Sequence, residues 1–354
     1  MRYALLVGIL FSVLTACIPG QIMRIFTADP VLIEKGEVYL RTVSLSFVLT
    51  GFTQIYYGLL KECDHAGLSS MIGSLAVVLN IALNAVFIFG LVGMPAMGIA
   101  GAALATVCAR IFETIAVIIV VTKYKCPKLG NMLVIKDRQM HKDYWKYTTP
   151  LLVNQIGWGG GVTMYSVIMG HMGSDATAAN SIASIVRTII ASLCWGISAG
   201  VSIIIGQTLG QNKLEEAKKM GGKFVRLSIW IGAASGLVIL LLIPLVLRVI
   251  TLTPQAMYYL KFMLCMAAYY IIGNSLNSTI ISGIFPAGGD TKFGMICDVV
   301  TLWCFVVPLG MLAAFVWHAP VLLVAFILTL DEFVKIPAVY IHYMKYKWVK
   351  NITR

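Results

Sequence analysis

Charge is the scarce ingredient of this chain. Only 12% of the residues are Asp, Glu, Lys or Arg, about half the share of ordinary soluble domains, which excludes a soluble globular fold. The eight cysteines include no C-x-x-C pair, and most fall inside apolar runs. That argues for reduced thiols and against disulfide or zinc frameworks. No G-x-x-x-x-G-K-[ST] phosphate loop occurs, so ATP does not drive the chain through such a loop. Nucleophile–base and metal-ligand constellations are absent too, which weighs against an enzyme. The first apolar run is too long for a signal peptide and lacks a small-residue cleavage pattern.

What is present is apolar length. Hydrophobic residues make up 59% of the chain, and the mean hydropathy is +0.88. Runs of about 20 residues recur, each long enough to cross the ~30 Å hydrocarbon core as a helix. The pattern predicts an all-α polytopic membrane protein with ten spans, near 3–23, 40–60, 70–91, 98–122, 147–171, 177–205, 224–247, 257–283, 293–315 and 320–343. Of the 27 basic residues, nineteen fall on one face, five on the other, and Arg110, Arg187 and Lys335 lie inside spans. By the positive-inside rule the richer face is cytoplasmic, with both ends of the chain inside the cell. The net charge of +12 is then topological, directed at lipid headgroups rather than nucleic acid.

The chain also repeats itself. Arg24-Ile25-Phe26-Thr27-Ala28-Asp29-Pro30 returns 224 residues later as Arg248-Val249-Ile250-Thr251-Leu252-Thr253-Pro254. Each copy leads into a Tyr-Leu-basic triplet, Tyr39-Leu40-Arg41 and Tyr259-Leu260-Lys261. Two complete copies would need about 440 residues, so part of the first is expected to be absent. The expected organisation is a partial first half over 1–122 (four helices), a cytoplasmic linker over 123–146 and a six-helix second half over 147–354. The intact design reads as two six-helix halves in a parallel repeat, with a substrate site near midplane between them.

Several motifs carry a resemblance. Gly206-Gln207-Thr208-Leu209-Gly210 followed by Glu215-Glu216-Ala217, and Ala287-Gly288-Gly289-Asp290-Thr291-Lys292, resemble the G-Q-x-x-G and A-x-G-D-T-K loops of the multidrug and toxic compound extrusion (MATE) family. Lys61-Glu62-Cys63-Asp64-His65 is similar to a worn copy of the second loop. The tail from Leu330-Asp331-Glu332-Phe333-Val334-Lys335 to Arg354 is similar to the ending of a Gram-positive bacterial branch. The match runs from the family's third helix to its twelfth, lacking the first two. It implies a monomeric antiporter of the bacterial plasma membrane. Such a protein exports amphipathic, often cationic compounds in exchange for Na⁺ or H⁺ by alternating access. No cofactor is implied beyond that ion, and the partners are drug-like molecules and membrane lipids. A lipid-linked saccharide flippase of related architecture, or an inactive fragment, is the alternative; a flippase would carry more cavity Arg and Lys than Arg110, Arg187 and Lys335.

Coupling to an ion needs ionisable groups in the membrane, where each is costly and calls for a partner or a function. Asp298 lies about 12 Å of helix beyond the Gly288-Gly289-Asp290 loop. It either binds the coupling cation, with a transported Na⁺ nearby, or pairs with Arg187 or a neighbouring helix. Arg110 and Glu113 stand three apart and can pair on one helix face. They map, with charges reversed, onto Glu332 and Lys335; adding Asp331 leaves one uncompensated negative charge able to titrate. The coupling candidates are therefore Asp298, Asp331, Glu332 and Glu113. Asn154, Gln155, Trp158, Tyr165, Asn180 and Arg187 are the cavity candidates, with Met164 and Trp195 as further walls. Many relatives resemble this stretch but carry an acid where Gln155 stands, and an amide cannot titrate. Asn80, Asn84, Asn274 and Asn277 suit interhelical hydrogen bonds. His171 and His318 suit the membrane interface.

Overall fold

Apolar runs in lipid must satisfy their backbone amides internally, and helices do so within one segment. The computed structural model describes residues 2–26, 30–63, 65–124 and 138–351, and among these it is helical without strands. Thr27 to Asp29 of the repeat, Asp64 of the worn loop, 125–137 of the linker and 352–354 of the tail lie outside the described residues. The chain forms two compact units, Met1–Arg138 and Gln139–Arg354.

The first unit holds α1 (Arg2–Cys17), α2 (Pro19–Phe26), α3 (Pro30–Glu62), α4 (Ala66–Phe89) and α5 (Gly98–Lys123). The expected span over 3–23 divides at Ile18, because Pro19 has no N–H to continue the first helix. Helices α1 and α3 touch through glycines. A Cβ on Gly8 would lie 2.9 Å from the Phe47 carbonyl oxygen, and one on Gly51 2.9 Å from that of Ala4. Small residues at such crossings let backbones approach where no hydrophobic gain exists.

The second unit contains α6 (Arg138–His171), α7 (Ser174–Gly210), α8 (Leu214–Val249), α9 (Pro254–Ala287), α10 (Thr291–Val316), α11 (Val321–Leu328) and α12 (Asp331–Met344). The expected linker ends early: 138–146 already belong to α6. Seven described helices are long and apolar enough to cross a membrane: α3, α4, α5, α7, α8, α9 and α10. The other expected spans also fall on helix, in α1 with α2, in α6, and in α11 with α12.

Two irregularities shape the second unit. Helix α9 widens into a π-helical stretch at Ser278–Ile284, and α10 does so at Thr301–Val306 and Leu312–Val316. Such stretches accompany functional sites. The Ser198 hydroxyl donates to the Ser278 carbonyl at 2.6 Å, so the widened turn keeps a partner. The expected span over 320–343 divides at Thr329 and Leu330. There the Thr329 N–H and hydroxyl both donate to the Phe326 carbonyl, at 3.0 and 2.8 Å. The break places Asp331 and Glu332 in the first turn of α12, where the helix macrodipole favours negative charge.

Candidate functional site

The Gly157 to Gly161 run of α6 presents small residues to α10, and Trp303 donates from Nε1 to the Gly157 carbonyl at 3.0 Å. A Cβ on Gly161 would run into the Leu302 side chain. This crossing brings Asn154 of α6 to Asp298 of α10, with Nδ2 donating to Oδ2 at 3.0 Å. Opposite, Lys335 of α12 donates from Nζ to Asp298 Oδ1 at 2.8 Å and pairs with Glu332 Oε2 at 3.1 Å. Of the alternatives for Asp298, the contact with neighbouring helices is the one found, through Asn154 and Lys335, and the pair with Arg187 is not; Arg187 lies over the Tyr270 ring, 5.0 Å from its centroid.

Glu332 is held more completely. Asn277 donates from Nδ2 to Oε2 at 2.7 Å and to the Glu332 carbonyl at 2.6 Å. Asn274 Nδ2 and the Tyr270 hydroxyl reach Oε1 at 3.1 and 3.3 Å. Asn274 and Asn277 sit three apart on α9, so both amides reach one carboxylate. With each nitrogen committed to an acid, the amide oxygens face elsewhere. Among the described residues, the buried Oδ1 atoms of Asn154, Asn274 and Asn277 have no hydrogen-bond partner.

The three asparagines, Asp298, Glu332 and Lys335 line a cavity of about 350 Å³, together with Gln155, Trp158, Trp195, Ser198 and Ser278. Trp158 and Trp195 meet edge to face, centroids 6.0 Å apart. Two carboxylates and one ammonium leave this lining with one uncompensated negative charge. Two smaller spaces share residues with each other. One is lined by Tyr165, Asn180 and Arg187, the other by Trp158, Tyr165, Arg187, Trp195, Tyr270, Asn274 and Asp331. The Tyr165 hydroxyl and Asp331 Oδ1 are buried there without a hydrogen-bond partner. The structure thus brings together Asp298, Glu332, Asn154, Gln155 and Trp158. It sets Asp331, Tyr165 and Arg187 around a neighbouring space, with Asn180 beside Tyr165 and Arg187.

Glu113 belongs to the first unit, where it is ion-paired with Arg110 as expected. That pair lines its own space of about 110 Å³ with Gly73, Asn80 and Thr106. Asn80 accepts from Asn84 at 3.0 Å, a bond within α4 rather than between helices.

Lys335 as the centre of the cluster was not legible locally, because its second acid stands 37 residues away on another helix. The clamp of Asn274 and Asn277 on Glu332 left only a weak signal, two amides at helical spacing. A further polar contact, His342 Nε2 to Asp290 Oδ2 at 2.7 Å, joins the end of α12 to the Gly288-Gly289-Asp290 loop. The His342 ring stacks on Phe293 with centroids 3.6 Å apart. Nearby, Trp348 is fully buried and its carbonyl lies where a Cβ on Gly288 would stand.

Comparison with known proteins fits this architecture. The MatE family model matches residues 1–86 and 150–342. An uncharacterized transporter YisQ of Bacillus subtilis (strain 168) is 26% identical over 286 residues, covering 79% of this chain and 62% of that protein. A probable multidrug resistance protein YoeA of the same organism is 24% identical over 320 residues, covering 88% of this chain and 68% of the relative. The chain therefore spans about two thirds of the length of these curated relatives. Among solved structures, a MATE crystal structure in the straight conformation superposes with a TM-score of 0.85 at 16% identity, over 98% of this chain and 77% of that one. A MOP superfamily transporter from Pyrococcus furiosus Vc1 (DSM3638), for which a binding pocket of reverse polarity suggests a different function, also gives 0.85 at 16% identity, over 98% of this chain and 77% of that one. With most of both units under one family model and the fold shared along nearly the whole chain, this protein belongs to the MatE family.

Proposed function

We propose that the chain works in an ion-coupled exporter of amphipathic, cationic small molecules, moving them across the bacterial plasma membrane by alternating access. The observation that carries this reading is the cavity of about 350 Å³ in the second unit, which sets one uncompensated negative charge beside two tryptophans. Indole faces and a carboxylate together suit a flat or bulky organic cation. Asp298 supplies the acceptor, since among the described residues its bonds come from Asn154 and Lys335. Asp331, buried with one oxygen free, is the carboxylate that serves the coupling ion, Na⁺ or H⁺. The homologous multidrug resistance proteins support the substrate class, and the distribution of basic residues supports cytoplasmic chain ends.

The test is ethidium efflux from cells expressing the chain, with Asp298→Asn and Asp331→Asn alongside. Efflux should stop when the ion gradients are collapsed and fall at least tenfold in either variant, a difference of about 1.4 kcal/mol in the limiting step. Efflux that ignores both gradients and both substitutions would sink the coupling mechanism.

A further inference from the structure

A carboxylate pair in a membrane cavity needs positive charge nearby, and transporters can take it from solution. Here the charge is covalently attached. Lys335 Nζ stands between Asp298 Oδ1 at 2.8 Å and Glu332 Oε2 at 3.1 Å, and the Lys335 side chain is only 5% exposed. We propose that Lys335 is the resident counter-cation of the cavity: its ammonium fills the place an inorganic cation would take, and a cationic substrate enters by displacing it from Asp298.

The displacement has a preferred side. Among the described residues, Glu332 keeps donors from Asn277, Asn274 and Tyr270 when Lys335 is set aside, whereas Asp298 keeps Asn154 alone. Lys335 and Glu332 share a helix at i,i+3 spacing, so the ammonium can leave Asp298 and remain paired with Glu332. Asp298 is also the more open acid, its side chain 11% exposed against 2% for Glu332. An arriving ammonium or phosphonium thus exchanges one cation for another on Asp298 without leaving a charge unpaired. Such an exchange avoids the several kcal/mol that an isolated buried ion costs.

The unpartnered Oδ1 atoms of Asn154, Asn274 and Asn277 give the lining a second property. They are acceptors without donors, held in place by nitrogens committed to Asp298 and Glu332. With Lys335 removed, Asp298 and Glu332 are two carboxylates without their cation, and carboxylate oxygens are ligands that hard cations take. Lys335 therefore decides whether the cavity binds Na⁺.

The experiment measures thermal unfolding of the purified chain in detergent, in NaCl against N-methyl-D-glucamine chloride at equal ionic strength. The variants are Lys335→Ala, Lys335→Gln and Lys335→Ala/Asp298→Asn. Wild type should show no Na⁺ response that the single variant Asp298→Asn, run alongside, removes. Both single variants should gain about 3 °C in Na⁺ as ligand binding stabilises the fold, and the double variant should lose the gain. Binding of tetraphenylphosphonium should tighten about tenfold in Lys335→Ala, because its competitor is gone. A Na⁺ response in wild type that Asp298→Asn abolishes would overturn the proposal, as would folded Lys335 variants indifferent to Na⁺. The displacement step rests on the transport reading, whereas the Na⁺ response requires no transport. Failed ethidium efflux beside the expected Na⁺ pattern would therefore count against that reading and not against the resident cation.

Discussion

The two units each carry an i,i+3 ion pair in their last described helix, in reversed charge order, and the pairs live in different surroundings. Arg110 and Glu113 form a pair whose arginine side chain is 36% exposed. Glu332 and Lys335 are 2% and 5% exposed, and their pair extends to Asp298 on another helix and three further donors. A local pair lets a helix carry two charges into an apolar environment at low cost. A networked pair with one acid to spare builds a site. The spacing is the same in both halves; the difference lies in what the neighbouring helices bring.

This contrast can be broken most forcefully by exchanging the charges of the second pair. Glu332→Lys/Lys335→Glu would set a glutamate against Asp298 and the ammonium against the amides of Asn274 and Asn277. It should abolish the folded, monodisperse protein in detergent, read by size-exclusion chromatography. The matching exchange, Arg110→Glu/Glu113→Arg, keeps a local pair without a third charge, although it moves the arginine into the buried place of Glu113, and should leave a folded protein.

Removing one partner gives the next largest effect. Lys335→Met, measured without Na⁺, leaves two buried acids short of their cation and should cost about 3–5 kcal/mol of stability. Asn277→Ala withdraws two hydrogen bonds from Glu332, at about 1.5–3 kcal/mol for bonds to a charged group. The smallest effect belongs to the first unit. Glu113→Gln removes the buried acid and leaves Arg110, 36% exposed, able to find other partners, and should cost about 1 kcal/mol. Melting curves of the three single variants under one detergent condition rank them.

The same contrast explains what could be read in the sequence. Apolar runs announce helices because lipid leaves no other way to satisfy a single segment's backbone, so helix falls on every expected span. Arg110 with Glu113 and Glu332 with Lys335 were legible because a three-residue spacing fixes a shared face. The Asp298–Lys335 contact depends on how α10 and α12 cross, and no local spacing encodes that. The division at Thr329 and Leu330 gave no warning, since neither Pro nor Gly marks it. It is stabilised instead by the double donation of Thr329 to Phe326. The π-helical turns of α9 and α10 were hidden likewise, although Ser198, whose hydroxyl donates to the Ser278 carbonyl in the first, stood in the sequence as an ordinary small polar residue.

The most direct test of the account is equilibrium binding of tetraphenylphosphonium to the purified chain, wild type against Asp298→Asn. Wild type should bind saturably and Asp298→Asn at least tenfold more weakly, a difference of about 1.4 kcal/mol. Equal affinity in the two proteins would contradict it.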